Sequence, residues 1–205
     1  MLFLDKVKDK YPNLKNIFEV GAHRGYDISD ILEKWPDAKI YAFEADPFNY
    51  KICDEKFKDV KNVEVHHLAV TYKTSPVIFN RFYDLETIPD EETLVGKNLQ
   101  NTGQGSILKS GKGMTEIFKV KDVVEEITVN GICLYDFCRE NAIQNIDAVF
   151  MDVQGAEMQV LCGCKDLMAT VKAVILEWSS NYVMYEGETD FIYIKKFLEE
   201  GGMEE

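Results

Sequence analysis

The sequence has little histidine, no C-x-x-C pair, no surplus of positive charge and no long apolar run. Only three histidines (His23, His66 and His67) are available as ligands, and Cys53, Cys133, Cys138, Cys162 and Cys164 show no zinc spacing. The cysteines are therefore read as small core residues in a reducing compartment. Cys162 and Cys164, two apart on a helical stretch, point different ways and are read as packing residues rather than a redox pair. The formal net charge of −13 comes from 36 acids against 23 bases. A phosphate-tracking surface would oppose the protein's own field, so nucleic acid is not an expected partner. No apolar run reaches the roughly 18 residues that a membrane span needs. The amino terminus, MLFLDKVKDKYPNLKN, becomes charged within five residues and offers no apolar stretch of signal-peptide length. A cytoplasmic location is expected.

A hydrophobic content of 46 % argues against disorder, and 205 residues suit one globular domain over 1–205. Short apolar runs recur at Ile17–Val20, Ile40–Phe43, Val63–Leu68, Ala148–Met151 and Ala173–Leu176. Several are apolar at consecutive positions, as strands buried on both faces of a parallel sheet require. Between them, Ile28, Ile31, Leu32 and Trp35 share one helical face, as do Ala156, Val160, Leu167 and Met168, and later Phe191, Ile194 and Leu198. The alternation predicts an α/β fold with a doubly wound, mostly parallel sheet. Residues 84–113 break the rhythm with a loop rich in glycine, asparagine, threonine and charge, read as a lid or a surface insertion.

The stretch IFEVGAHRG, from Ile17 to Gly25, ends an apolar run on an acid and two glycines. Ligands of doubly wound sheets bind where the winding direction reverses, usually beside the first strand. Gly21 and Gly25 let the chain bend and let a ligand approach, and a helix starting near Tyr26 turns free N–H groups to the same place. A turn serving only its own backbone fits the same residues. The second run, IYAFEADP, ends on Glu44, 19 residues after Gly25. An acid at that offset accepts hydrogen bonds from ribose hydroxyls, or is simply a solvated strand end.

A dinucleotide turn presents bare amides to a pyrophosphate through G-x-G-x-x-G. Here His23 occupies the middle glycine position and Glu19 stands just before the turn. A carboxylate there repels a diphosphate and suits a cation, such as the amino group or sulfonium of S-adenosylmethionine. Glu19-x-Gly21-x-x-x-Gly25 resembles the first motif of class I methyltransferases, and Glu44 resembles their ribose-binding acid.

A second informative stretch is IDAVFMDVQGAEMQVLCGCKDL, in which Asp152 closes a buried strand, Gly155 loosens the turn and Glu157 opens a helix. DVQGAE (Asp152 to Glu157), followed by Val160-Leu161-Cys162-Gly163, resembles the mark of the FkbM family of methyltransferases, D-V-(E/Q)-G-A-E and then V-L-x-G. VILEW with Glu177, MYEGETDFIYIKKFLEEGG, HLAV (His67 to Val70) and, more loosely, GQGSILKS around Ser106 extend the resemblance over about residues 16–202. It implies S-adenosylmethionine as cofactor, with contacts from Glu19, Gly21, Ala22, His23, Gly25, Glu44, Ala45, Leu68, Ala69, Ser106, Asp152, Val153 and Gln154. Gln154 stands where many relatives carry Glu, so that position offers no proton acceptor. Such folds continue past GGMEE into an antiparallel hairpin. The expectation is therefore a sheet that lacks the hairpin or closes its edge differently, from a fragment of a larger enzyme or with an edge open to pairing in an oligomer.

Methyl transfer requires an aligned acceptor and excluded water, and an alcohol gains from a base. Asp152 is the expected base or acceptor-orienting group, with Glu177 and His23 as further catalytic candidates. Asp152 holding the methionine end of the cofactor, or capping the next helix, is the alternative. Glu157 is read as structural, Asp46 and Pro47 as a helix start, and Trp178, Tyr182 and Tyr185 as sugar-stacking or packing aromatics. Asp152 and Glu177 could join a Mg²⁺ site, but no dedicated ligand spacing exists, and metal is left open. The reading is an O-methyltransferase acting on a hydroxyl of a sugar, glycan or related natural product. Its rivals are an NAD-dependent oxidoreductase and a non-catalytic binding or assembly module.

Overall fold

The computed structural model describes residues 2–82, 103–117, 125–178 and 183–203. Five parallel strands form the central sheet: β1 (Asn16–Val20), β2 (Lys39–Glu44), β3 (Val63–His67), β8 (Ala148–Met151) and β9 (Ala173–Leu176). Their order is β3-β2-β1-β8-β9. The chain winds outward from β1 in one direction, then returns to the other side of β1. That reversal opens a crevice at the carboxyl ends of β1 and β8. Two small pairs lie outside this sheet: β4 (Ala69–Val70) with β7 (Gly131–Ile132), and β5 (Val77–Arg81) antiparallel to β6 (Glu125–Val129).

Helices cover both faces. Against one face lie α1 (Leu2–Lys10), α2 (Tyr26–Lys34) and α3 (Pro47–Phe57), where Ile28, Ile31, Trp35, Cys53 and Phe57 pack on Ile17, Ile40, Ala148 and Phe150. Against the other lie α5 (Leu134–Glu140), α6 (Glu157–Cys164) and α7 (Phe191–Glu200), where Phe137, Val160, Leu161 and Ile194 meet Phe18, Val20, Phe43 and Val149. Strand side chains alternate between faces with a period of two. Ile17 and Phe18, adjacent in β1, thus belong to different cores and are both fully buried. This explains the continuous apolar runs. The largest fully buried side chain among the described residues is Trp35, whose indole N–H donates to the Tyr11 carbonyl at 2.9 Å.

The observed strands match the five predicted ones within one or two residues. One helix differs: α6 stops at Cys164 and a 3-10 turn, Lys165–Thr170, carries Leu167 and Met168. Lys165, at φ 48°, turns the chain out of the α-helical path. Of the predicted 84–113 loop, 84–102 lie outside the described residues. The remainder is anchored: Ser106 bridges to Asn80, Ser110 bridges to Tyr185, and α4 (Lys112–Ile117) follows. Cys53, Cys133, Cys138 and Cys164 are buried free thiols, and Cys162 is an exposed one. Among the described residues no helix is long and apolar enough to cross a membrane.

Candidate active site

The turn after β1 is held by its own amides. The N–H groups of Gly21 and Ala22 both donate to the Phe43 carbonyl at 2.9 Å, and that of Gly25 donates to Ala22 at 2.7 Å. The His23 N–H donates to Glu44 Oε2 at 2.6 Å. Four N–H groups that a diphosphate would need are thus engaged inside the protein. The glycines answer to close packing: a Cβ on Gly21 (φ 87°) would lie 2.0 Å from the Asp152 carbonyl oxygen. One on Gly25 (φ 72°) would lie 2.4 Å from the Phe57 ring. Non-glycine His23 also takes a left-handed backbone, φ 47°, which costs on the order of 1 kcal/mol.

Glu44 ends β2 beside this turn. Its second oxygen, Oε1, accepts the Asp46 N–H at 2.7 Å. Burial nevertheless outweighs these donors and raises the carboxyl to about 7. Each oxygen keeps a lone pair for a further donor. Asp46 caps α3, accepting the N–H groups of Phe48 and Asn49, and pairs with Arg81 at 2.6 Å. A cavity of about 290 Å³ opens over these strand ends. Its lining contains Asp27, Glu44, Asp46, Asp152 and His23, and neither lysine nor arginine among the described residues. Burial, then the Arg24 charge, lowers the His23 pKa, which keeps its imidazole neutral near pH 7.

A second cavity of about 450 Å³ adjoins the first and shares Asp27 and Asp152 with it. Strand alternation builds it: the parity that sends Ile17, Phe150 and Ile175 to the α1–α3 face also sends Glu19, Asp152 and Glu177 there. Its apolar wall comes from Phe3, Leu4, Ile31, Phe150 and Ile175. Glu19 is 2 % exposed, and its Oε2 has no hydrogen-bond partner. Burial, then the nearby Asp27 and Asp152, pushes its carboxyl well above the usual range. Asp152 rises to about 7 through burial and Glu177, with which it shares a hydrogen bond, while the Gln154 amide pulls it down. Such a concentration of raised carboxyls favours a cation. Among the described residues no three His, Cys, Asp or Glu side chains are arranged to hold a metal ion.

The turn after β8 is held by side chains. Gln154, left-handed at φ 54°, donates from Nε2 to Asp152 Oδ1 at 2.5 Å. Its Oε1 faces the Tyr185 hydroxyl at 2.7 Å, and its carbonyl accepts Ser106 Oγ at 2.8 Å. Glu157 reaches back to the Gly155 N–H at 3.2 Å, a structural contact at the start of α6.

The acid-terminated glycine turn, the DVQGAE turn and the strand order point to one group of proteins, and comparison with known families agrees: the profile of the methyltransferase FkbM domain matches residues 19–204. The chain belongs to the FkbM methyltransferase family. Among curated proteins it is 26 % identical over 172 residues to the 2-O-methyltransferase NoeI of Sinorhizobium fredii (strain NBRC 101917 / NGR234), covering 84 % of this chain and 66 % of that protein. It is 25 % identical to Methyltransferase 1 of Beauveria bassiana, covering 98 % of this chain and 78 % of that one. A solved structure, the precorrin-6y C5,15-methyltransferase of Geobacter metallireducens, superposes with a TM-score of 0.45 at 11 % identity, covering 97 % of this chain and 68 % of that one.

Of the FkbM-type cofactor residues expected from sequence, Gly21, Ala22, His23, Glu44, Ala45, Leu68, Ala69, Ser106, Asp152, Val153 and Gln154 all line the first cavity. Glu19 and Gly25 do not: Glu19 faces the second cavity, and Gly25 packs on Phe57. Glu177 also lies in the second cavity. Of the three aromatics, Tyr182 lies outside the described residues. Trp178, 41 % exposed, stacks on Phe191, whereas Tyr185 is buried against Phe82 and Met114. Tyr185 is therefore no sugar platform. The sequence reading passed over Asp27, which lines both cavities, and Gln104, which lines the first. An acid in the first turn of the helix after a glycine turn was the available signal for Asp27, and it reads equally well as a dipole partner. Gln104 carried none.

Proposed function

We propose that this chain is an S-adenosylmethionine-dependent O-methyltransferase whose acceptor is a hydroxyl of a sugar, glycan or related natural product. One observation carries the reading. The crevice at the winding reversal is walled by acids, lacks lysine and arginine among the described residues, and has its turn amides already engaged. That chemistry fits a cationic nucleoside and opposes a pyrophosphate.

When bound, S-adenosylmethionine supplies an electrophilic methyl group on a sulfonium. Glu44, fixed by the His23 and Asp46 N–H groups, receives the ribose hydroxyls on its remaining lone pairs. The unpartnered Glu19 oxygen, with Asp27, balances positive charge from the α2 side. Asp152, raised to about 7, takes a proton from the acceptor oxygen at near-neutral pH. Glu177, hydrogen-bonded to Asp152, orients that carboxyl. Neutral His23 offers a hydrogen bond to the cofactor or the acceptor. The acceptor class rests on the family resemblance and on the name of the 2-O-methyltransferase relative.

Calorimetry against S-adenosylmethionine and NAD tests the cofactor: the former is expected to bind, and NAD binding alone would overturn the reading. Transfer of radiolabelled methyl to glycan extracts tests the acceptor. Cofactor binding with no transfer to any hydroxyl compound would favour a binding module instead.

A further inference from the structure

Buried Tyr185 lies against the two residues that connect Asp152 to the 103–111 segment. Its hydroxyl is 2.7 Å from Gln154 Oε1 and 3.0 Å from the Gln104 carbonyl. Both neighbours are acceptors, and a phenol has one proton to give. The ring is clamped by Phe82 and Met114, and the neighbouring backbone is clamped by the Glu188 carboxylate, which accepts the N–H groups of Met184 and Tyr185 at 3.0 and 2.9 Å. Only the hydroxyl proton and the Gln154 amide are left to rearrange.

We propose that Gln154 and Tyr185 are positioning residues that hold Asp152 in its proton-accepting form, and that the same relay ties that form to the 103–111 segment. With Asp152 ionised, Tyr185 donates to Gln154 Oε1, which turns Nε2 toward Asp152 Oδ1. With Asp152 protonated on Oδ1, the oxygen that faces Gln154, that O–H needs an acceptor on the Gln154 side. The amide then turns over: Asp152 donates to Oε1, Nε2 donates to the phenol oxygen, and the phenol proton points to the Gln104 carbonyl. No proton is gained or lost except the one on Asp152. Each arrangement matches donors to acceptors along Asp152, Gln154 and the phenol, which an amide allows because it both donates and accepts, and the two arrangements differ in whether the Gln104 carbonyl receives the phenol proton. Ser106, donating to the Gln154 carbonyl, keeps the backbone in place while the side chain turns.

The relay deepens the transferase reading, since it gives the proposed base its orientation. The charged and titratable groups around Asp152 are Glu177 after β9, Glu157 on α6, Glu19 on β1 and Asp27 on α2, which lines the same two cavities, while Glu188 faces Tyr185 and Gln154 is the neutral neighbour in its own turn. All the acids disfavour ionisation, so the Gln154 donor is what opposes them.

The test needs no acceptor, so its failure would leave the transferase reading standing. The Asp152 carboxyl carbon is titrated by ¹³C NMR in the full chain and assigned with Asp152→Asn. Gln154→Leu is expected to raise its midpoint by about one pH unit, and Tyr185→Phe by roughly half as much, although Tyr185 does not touch Asp152. Tyr185→Phe keeps the ring in its cluster. In the unmodified protein, Gln154 amide protons are expected to gain a nuclear Overhauser effect to the Tyr185 ring as Asp152 takes its proton. An unchanged midpoint in Tyr185→Phe, or an amide whose contacts stay the same across the titration, would overturn the relay.

Discussion

The turn after β1 is fastened by main-chain amides and one carboxylate, whereas the turn after β8 is fastened by side chains from Gln154, Tyr185, Ser106 and Glu157. Both contain a non-glycine residue with a left-handed backbone, His23 and Gln154. Both line the same cavity. The first turn has little freedom to change state, because its partners are the Phe43 and Ala22 carbonyls and the buried Glu44 carboxylate. The second can rearrange without unfolding, because its partners are rotatable groups. A methyl-transfer site needs one part that grips a cofactor and another that exchanges a proton, and under the proposed function the two turns would divide that work.

The largest expected effect separates the turns by function. Asp152→Asn should slow methyl transfer 10²- to 10⁴-fold while changing S-adenosylmethionine affinity by about threefold or less. Equal losses in rate and affinity would assign Asp152 to cofactor holding instead. Next comes rigidity. Gly21→Ala drives a Cβ into the Asp152 carbonyl at positive φ and should cost roughly 2–5 kcal/mol in urea unfolding. Gly155→Ala meets side chains of Tyr185 and Glu188 at 3.1 Å and should cost about 1–2 kcal/mol. Similar losses at both would erase the contrast.

Glu44→Gln replaces an acceptor facing two N–H groups with a group that is half donor, and calorimetry should show S-adenosylmethionine affinity falling about tenfold to a hundredfold. The smallest effect is on pH. Glu44 and Asp152, both raised to about 7 in the folded state, favour folding below the ordinary carboxylate range and lose that contribution as pH rises through 7. Unfolding free energy should therefore be greater at pH 5.5 than at pH 7.5, by on the order of 1–3 kcal/mol. A cation should bind best to the ionised site, so S-adenosylmethionine affinity should rise over the same interval, with proton release in calorimetry. A flat profile would mean that neither carboxyl titrates in that window.

The sheet was legible because burial on both faces writes consecutive apolar residues into a strand: Ala148–Met151 and Ala173–Leu176 were bounded correctly from composition alone. Most positions that line the first cavity were legible too, since strand ends next to glycine turns are read from spacing. Spacing put Glu19 beside the first strand end but said nothing of which side it faces, and alternation carries its side chain to the α1–α3 face. Tyr185 was left open between sugar stacking and packing, and it packs, buried against Phe82, far away in sequence.

By itself the sequence determined which segments become strands and helices, where the winding reverses and which acids end up at the reversal. These follow from local periodicity and connection rules, which neighbouring residues carry. Only the tertiary structure decided that Gly21 and Gly25 serve close packing, that six carboxyls line two adjoining cavities, and that Gln154 lies between Asp152 and Tyr185. Tertiary hydrogen bonds join residues as much as 132 positions apart, as the Lys15 N–H donating to Asp147 Oδ2 at 2.7 Å shows. Their geometry is set by packing between layers, which no local pattern records.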